Sequence, residues 1–380
     1  MDAPAVIDAG SDTVKAGFAG DEAPTSVFPS VVGHPWQAEE GQCLFGDEAV
    51  AKQSTLRMQR PIQNGRIVSW DNMLPLLSFT LTSELCTSPP ERPILLADSA
   101  SGSEDDRAEA ATALFESLGV PALYIKSTAA LALHASGRRT GMILESGYDA
   151  SRCVPIYEGE VIRHAVRSVP YAGRQLSELL HSLLAPEDRE PGIRGIIDDV
   201  KRNRCFVAED YEAELEAATP EREAWVREHS LSYELPNGRI LNTFGDARFR
   251  APEALFRPSM LGLDAMGLQD LVYDVTSLSS CDEDQALRRE FLENITLSGR
   301  TTLFPALTGR LELEIARSVP GQLRDSVRVH AQPERGYLSW IGGSLLALDL
   351  DDGSFNGHGR WCTKAEYDEF GPGIINRKCL

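Results

Sequence analysis

The stretch Val6–Pro24, VIDAGSDTVKAGFAGDEAP, decides the fold. Ala5, Val6 and Ile7 read as a short buried strand that ends at Asp8 and Gly10. Thr13–Phe18 then alternates around Gly17 before a turn at Gly20, which predicts a second strand folding back on the first. The same order of events returns at Ile143–Glu160, ILESGYDASRCVPIYEGE. Asp8-Ala9-Gly10-Ser11-Asp12 falls in line with Glu145-Ser146-Gly147-Tyr148-Asp149, 137 positions later. The pattern used twice predicts two similar domains, each presenting a tight hairpin. Such hairpins suit phosphate. Glycine lets backbone N–H groups approach phosphate oxygens, and a hydroxyl and a lysine add donors. An acid at the strand tip can hold a hydrated Mg2+. Facing each other, the two would clamp a nucleoside triphosphate in a cleft between domains. One acid-x-Gly after a strand usually marks only a turn, so the weight rests on the repetition.

The bulk properties narrow the field. A chain of 380 residues is long enough for two domains with sizeable cores. With 42% hydrophobic and 25% charged residues it is composed like a soluble globular protein. A net charge of -20 argues against a general binder of nucleic acid or anionic membrane, which needs basic patches. Apolar runs such as SLLALDL are too short to span a bilayer, so no membrane insertion is expected. The N-terminus, MDAPAV, lacks the basic and apolar segments of a signal peptide. The seven cysteines show no CxxC spacing, which suits reduced thiols in a cytoplasm. The seven histidines form no HExxH-like set, so a transition-metal site is not expected.

Along the chain, strands and helices interleave, which reads as α/β layering. RPILLADSA is a buried strand. Ser103 then caps a helix with Glu104, Asp105 and Asp106 in its first turn, where acids favour the dipole. Ala108, Ala111, Leu114, Phe115 and Leu118 follow at helical spacing, and Gly119 stops the helix. VPALYIKSTAALALHASG gives a strand and an alanine-rich helix, and TGMILESG starts another strand. HPWQAEEGQCLFGDEA reads as an exposed loop.

Beyond the hairpins, longer blocks carry a resemblance. KAGFAGDEAP, VFPSVVG, GDEA, VPIYEGE, SYELPNG, RFRAPEALF, WIGGS, EYDEFGP and NRKCL resemble actin blocks in actin order, from residue 5 to residue 380. The resemblance is to eukaryote-type actins more than to bacterial actin-like proteins, sugar kinases or Hsp70 chaperones. It implies an α/β actin-like fold with an interdomain nucleotide cleft. Domain one would comprise residues 1–135 and 337–380, with a small insertion at about 31–62. Domain two would comprise 136–336, with an insertion at about 172–263. The chain would cross between them near ALALHASG and ERGY, the hinge of cleft closure.

The resemblance also implies a site for ATP or ADP with Mg2+. Asp8, Gly10, Ser11, Thr13 and Lys15 match the first phosphate hairpin, and Ser146 and Gly147 the second. Gly173 matches a cleft glycine, and Lys201 a basic residue beside the nucleoside. Ser298, Gly299, Thr301 and Phe304 belong to the adenosine loop. Asp8 and Glu145 would hold Mg2+ through water.

The departures cluster where actins do chemistry. Asp12 stands for a glycine, and Tyr148-Asp149 for Asp-Gly. Glu145 is one methylene longer than the acid it replaces. Thr128 stands for the glutamine that positions the attacking water, and Arg152 for the histidine that supports it. Arg300 stands for a glycine, Arg202 for an acid and Gly336 for a lysine. Thr128, Glu145 and Arg152 therefore form an altered catalytic set, expected to give a weak ATPase at most. Asp12 and Asp149 bring negative charge toward the phosphates, and Lys15, Arg152, Lys126 and Arg300 are candidates to offset it. Two readings stay open: retained Mg-ATP binding through a rearranged charge set, or a decayed, structural cleft.

Three functions compete. One is an actin-like cytoskeletal protein of the cytoplasm that binds Mg-ATP and assembles with itself, head to tail, into filaments. Another is a non-polymerising actin-related scaffold subunit of a larger complex. A shortened HPWQAEEGQC loop favours the scaffold, as do His134, Arg139 and Asp349, which alter the cleft where actins receive actin-binding-type proteins. A kinase of the same superfamily fits the extended actin blocks poorly. Trp36 and the apolar RPSMLGLDAMGLQD loop are candidate contacts, or pack on their own domain.

Overall fold

In the computed structural model, residues 3–36, 42–184, 189, 193–218, 233–234, 240–241, 245–279, 285–350 and 360–379 are described. Two mixed sheets organise them. The first runs, edge to edge, through Cys362–Thr363, Ala122–Ser127, Ile94–Asp98, Ala5–Ala9, Thr13–Phe18 and Ser26–Pro29. The second runs through Glu160–Val161, Ser151–Tyr157, Gly141–Ser146, Ile295–Ser298 and Val329–His330, with Arg167–Val169 added against Ser151–Tyr157.

Each sheet has the same centre. An antiparallel hairpin lies beside a strand that returns parallel to the hairpin's first arm. A parallel return needs a crossover long enough to hold a helix, which is why the sequence interleaves the two element types. The central strands are buried on both faces, and their apolar runs show it. Ala5, Val6 and Ile7 are fully buried, as are Met142, Ile143 and Leu144. The register repeats as well. Asp8 lies opposite Lys15, and Glu145 lies opposite Arg152. At the tips, Gly10 N donates to Thr13 O at 3.0 Å, and Gly147 N to Ala150 O at 3.2 Å.

One large core packs the first sheet between helices on both faces, including Leu76, Leu77, Leu114 and Trp340. A second core, with Leu176, Phe291, Leu297 and Leu311, does the same for the second sheet. Trp340 anchors the first core, and its indole N–H donates to Val6 O at 3.0 Å. Between the sheets, helix Thr128–Ala135 packs on helix Leu338–Leu350 at backbone contact. A Cβ at Gly342 would lie 1.8 Å from Leu131 O, so only glycine permits the crossing.

The local readings are met by specific contacts. Ser103 caps helix Glu104–Thr112 reciprocally: Asp106 N donates to Ser103 Oγ at 3.1 Å, and Ser103 N to Asp106 Oδ2 at 2.9 Å. The helix widens over Ala113–Leu118 and stops at Gly119. HPWQAEEGQCLFGDEA is not simply a loop. Its ends join a small sheet of Val32–Pro35, Leu44–Phe45 and Leu56–Gln59, and Gly46–Ala51 is helical. The apolar alternation that builds this sheet is too short to stand out from its polar neighbours. Residues 37–41 of that stretch, and most of SYELPNG, lie outside the described residues.

Candidate functional site

The two hairpin tips border one cavity of about 540 Å3 between the sheets. The first contributes Asp8, Gly10, Ser11, Asp12, Thr13 and Lys15, and the second Glu145, Gly147, Tyr148, Asp149 and Arg152. Thr128, Gly173, Lys201, Arg202, Gly299, Arg300, Thr301 and Phe304 complete the wall. Ser146 does not border the cavity, because its hydroxyl turns inward to Ser151 Oγ at 2.8 Å. Lys126 lies outside it too and pairs with Glu160 at 3.3 Å.

The tips leave backbone donors free. Among the described residues, the backbone N–H groups of Ser11, Asp12, Tyr148 and Asp149 donate to no protein acceptor. Tight turns leave such amides pointing outward together, a concave array that suits phosphate oxygens. Leu303, Phe304 and Gly336 add an apolar stretch to the lining.

The side chains are more committed than the sequence suggests. Lys15 Nζ donates to Asp8 Oδ2 at 2.9 Å, and both are nearly buried. Lys201 uses its three ammonium hydrogens inside the protein, on Gly173 O at 2.7 Å, Ser177 Oγ at 2.6 Å and Asp198 Oδ1 at 3.0 Å. Burial depresses its pKa, and Asp198 opposes that shift. Lys201 thus braces helix Gly173–Leu183 against helix Arg194–Arg204. Arg202 turns to Asp12 of the first hairpin at 3.6 Å, so the ion pair crosses the cleft. Asp149 accepts from Arg174 Nε at 3.0 Å and from Asn64 N at 3.1 Å. The Arg300 side chain makes no hydrogen bond or ion pair among the described residues. Its side chain lies near Gly336, where a Cβ would be 3.3 Å from Arg300 Cγ.

A segment the sequence reading passed over lies across both tips. Arg60 Nη1 donates to Ser11 O at 2.7 Å, faces Asp12 at 3.6 Å, and sits 4.9 Å from the Tyr148 ring centre. Asn64 N reaches Asp149, Arg152 Nη2 donates to Asn64 O, and Gly65 N donates to Ser11 Oγ at 3.4 Å. The turn joins Ile62–Gln63 to Arg66–Ile67, with Asn64 and Gly65 both at positive φ. Asn-Gly between apolar residues is a strong hairpin signal, and it could have marked this strap. The cavity also extends to Asp98 and Arg107, an ion pair at 3.1 Å that the sequence did not single out.

Glu145 and Thr128 share the cavity floor, with Thr128 Oγ1 donating to Glu145 Oε2 at 3.4 Å. Burial pushes the Glu145 carboxyl above the ordinary glutamate range, and the charge of Arg152 pulls the other way. Asp8 and Glu145 are near enough to influence each other electrostatically. No group of three or more His, Cys, Asp or Glu side chains able to hold a metal occurs among the described residues. Two carboxylates beside an anion cradle do fit Mg2+, which keeps several waters and takes oxygens from bound phosphates.

The family model described as Actin matches residues 2–191 and 188–380. The chain belongs to the actin family, and its two sheet-bearing halves have the actin-like α/β fold. Proteins of this family generally bind ATP or ADP with a divalent metal and are typically cytoskeletal. Among the described residues, no helix is long and apolar enough to cross a membrane.

Proposed function

We propose that this chain is an actin-like cytoplasmic protein that binds Mg-ATP between its domains and assembles head to tail into filaments, with slow ATP turnover. The observation that carries the binding is the set of four amides, at two hairpin tips on one cavity, that donate to no protein acceptor among the described residues. Asp8 and Glu145 would hold the hydrated Mg2+, which supplies positive charge against the polyphosphate. Gly299, Thr301, Phe304 and Leu303 would receive the nucleoside. Arg202 cannot accept a hydrogen bond, so ribose hydroxyls would lose an acceptor there.

Slow turnover follows from the donor set. In-line attack needs a group that positions water and carries its proton away. Thr128 gives its hydroxyl to Glu145, and Arg152 is a permanent cation. Hydrolysis is expected roughly 10²–10⁴-fold below that of family members with a positioned acid–base pair. Phosphate release from the assembled protein checks this, and a rate equal to theirs overturns it.

One observation favours a scaffold instead. The protein bridges the cleft with its own groups: Arg202 pairs with Asp12, and the Asn64 backbone N–H donates to Asp149. Exposed Trp36 (69%), Leu345 and Leu348, with the His134–Asp349 pair at 3.8 Å, would be its partner-facing features. Met260, Leu261 and Leu263 pack on their own core and leave less for a contact. Sedimentation over a concentration series with Mg-ATP, Mg-ADP or no nucleotide, then electron microscopy of pellets, separates the two. Nucleotide-dependent filaments above a critical concentration support the polymer. A monomer in every condition supports the scaffold.

A further inference from the structure

Arg152 is 7% exposed, yet no carboxylate lies within ion-pair distance of it among the described residues. Its cross-strand neighbour Glu145 pairs with Thr128 instead. Asp8 is taken by Lys15, and Asp149 by Arg174 and Asn64. Of the five guanidinium hydrogens, one goes from Nη2 to Asn64 O on the opposite side of the cleft. The Nε–H is fully buried and has no acceptor. A cation held out of water with no carboxylate in direct contact is costly, and a buried donor left unpaired adds to the cost. Gly65 makes room for it: at φ +72° a Cβ there would lie 2.7 Å from Arg152 Nη2. The guanidinium therefore stands on the wall of the cavity that the second hairpin also lines, with no carboxylate in contact and one donor unpaired.

We propose that Arg152 binds the terminal phosphate group, so that the cleft distinguishes a nucleoside triphosphate from a diphosphate. This rests on the nucleotide-binding reading above and names the residue that would read the ligand's far end. The recognised chemistry is a tetrahedral phosphate dianion, either the last phosphoryl group of ATP or inorganic phosphate beside ADP. Because Arg152 also bonds Asn64 O, occupancy of its free donors bears on the strap that lies across both hairpins.

The test is equilibrium binding of ATP and ADP, each with Mg2+, to the full chain and to Arg152→Gln and Arg152→Lys. Charge-assisted hydrogen bonds of this kind are worth about 10- to 100-fold in affinity. Arg152→Gln is expected to lose about that much ATP affinity, with ADP affinity changed less than about threefold, and Arg152→Lys to fall between. If Arg152→Gln does not fold, the ATP-to-ADP ratio of Arg152→Lys decides. Equal losses for both nucleotides would mean that Arg152 only holds the cleft together, and no change would mean that it contacts no phosphate. Either result overturns the proposal and leaves the nucleotide reading standing. A wild-type chain that binds neither nucleotide overturns both. Inorganic phosphate added to the ADP-loaded protein separates the two sources of the anion. A rise in melting temperature in wild type but not in Arg152→Gln assigns free phosphate to Arg152. An equal rise in both, with an unchanged ATP-to-ADP ratio, overturns the assignment.

Discussion

The two hairpins share one backbone and one register, yet they handle charge in opposite ways. In the first, the cross-strand acid and base meet: Asp8 and Lys15 neutralise each other at 2.9 Å. In the second, the equivalent pair stays apart. Glu145 turns to Thr128, and Arg152 reaches over the cleft to Asn64. The acid–base pair of the first hairpin is self-contained, whereas the base of the second depends on the other side of the cleft. A repeated motif therefore fixes where charges are placed but not where they are spent.

The sharpest way to break this comparison is to remove the base from each hairpin. Lys15→Met strands a nearly buried carboxylate and is expected to cost about 3 kcal/mol. Arg152→Met removes a cation with no carboxylate partner and is expected to cost no more than about 1 kcal/mol. Urea denaturation of both variants gives the answer, and equal costs would mean that the hairpins do not differ. Next in size is Gly65→Ala, where a left-handed backbone and the crowding of Arg152 Nη2 predict a loss of about 1–2 kcal/mol. Its melting temperature should recover in part when Arg152→Gln is added, because the crowded group is then smaller.

Asp12→Gly tests the charges that bridge the cleft. Arg60, Arg202 and Asp12 are all partly exposed, so their pairs are worth about 0–1 kcal/mol and fade with salt. Stability should barely move, while removal of the like charge should tighten nucleotide binding. Isothermal titration at low and high salt would show the gain shrinking as salt rises. The smallest effect belongs to Glu145→Gln, and it depends on pH. The folded carboxyl titrates above its unfolded value, so any stability it lends is present at low pH. That stability is lost as pH rises through the folded pKa. The variant should gain on wild type as pH rises above the ordinary glutamate range, and a difference that stays constant with pH would contradict the shift.

Much of the frame was legible because it is local. The repeated acid-x-Gly after a buried strand gave both hairpins, and Ser103 with Asp106 gave a helix start through a capping box. Most residues named for the cleft do border one cavity. Ser146 and Lys126 are the exceptions: a strand alternates its side chains, so Ser146 faces the core, and Lys126 turns to Glu160. What could not be read is the pairing. Arg202 meets Asp12 and Arg152 meets Asn64 across 190 and 88 positions, and nothing at either end announces the other. Lys201 looked like a ligand for the same reason. A lysine's three donors count as free until the fold shows what surrounds them.

The crossing of helices Thr128–Ala135 and Leu338–Leu350 has a mechanical consequence. With Gly342 seated against Leu131 O, the helices cannot approach further. They can separate only by giving up the buried surface around them. A rotation of one half against the other would therefore pivot at that contact, as with the jaws of pliers about their rivet. Displacement then grows with distance from the rivet. The outer faces of the molecule would then sweep a larger arc than the residues beside the rivet.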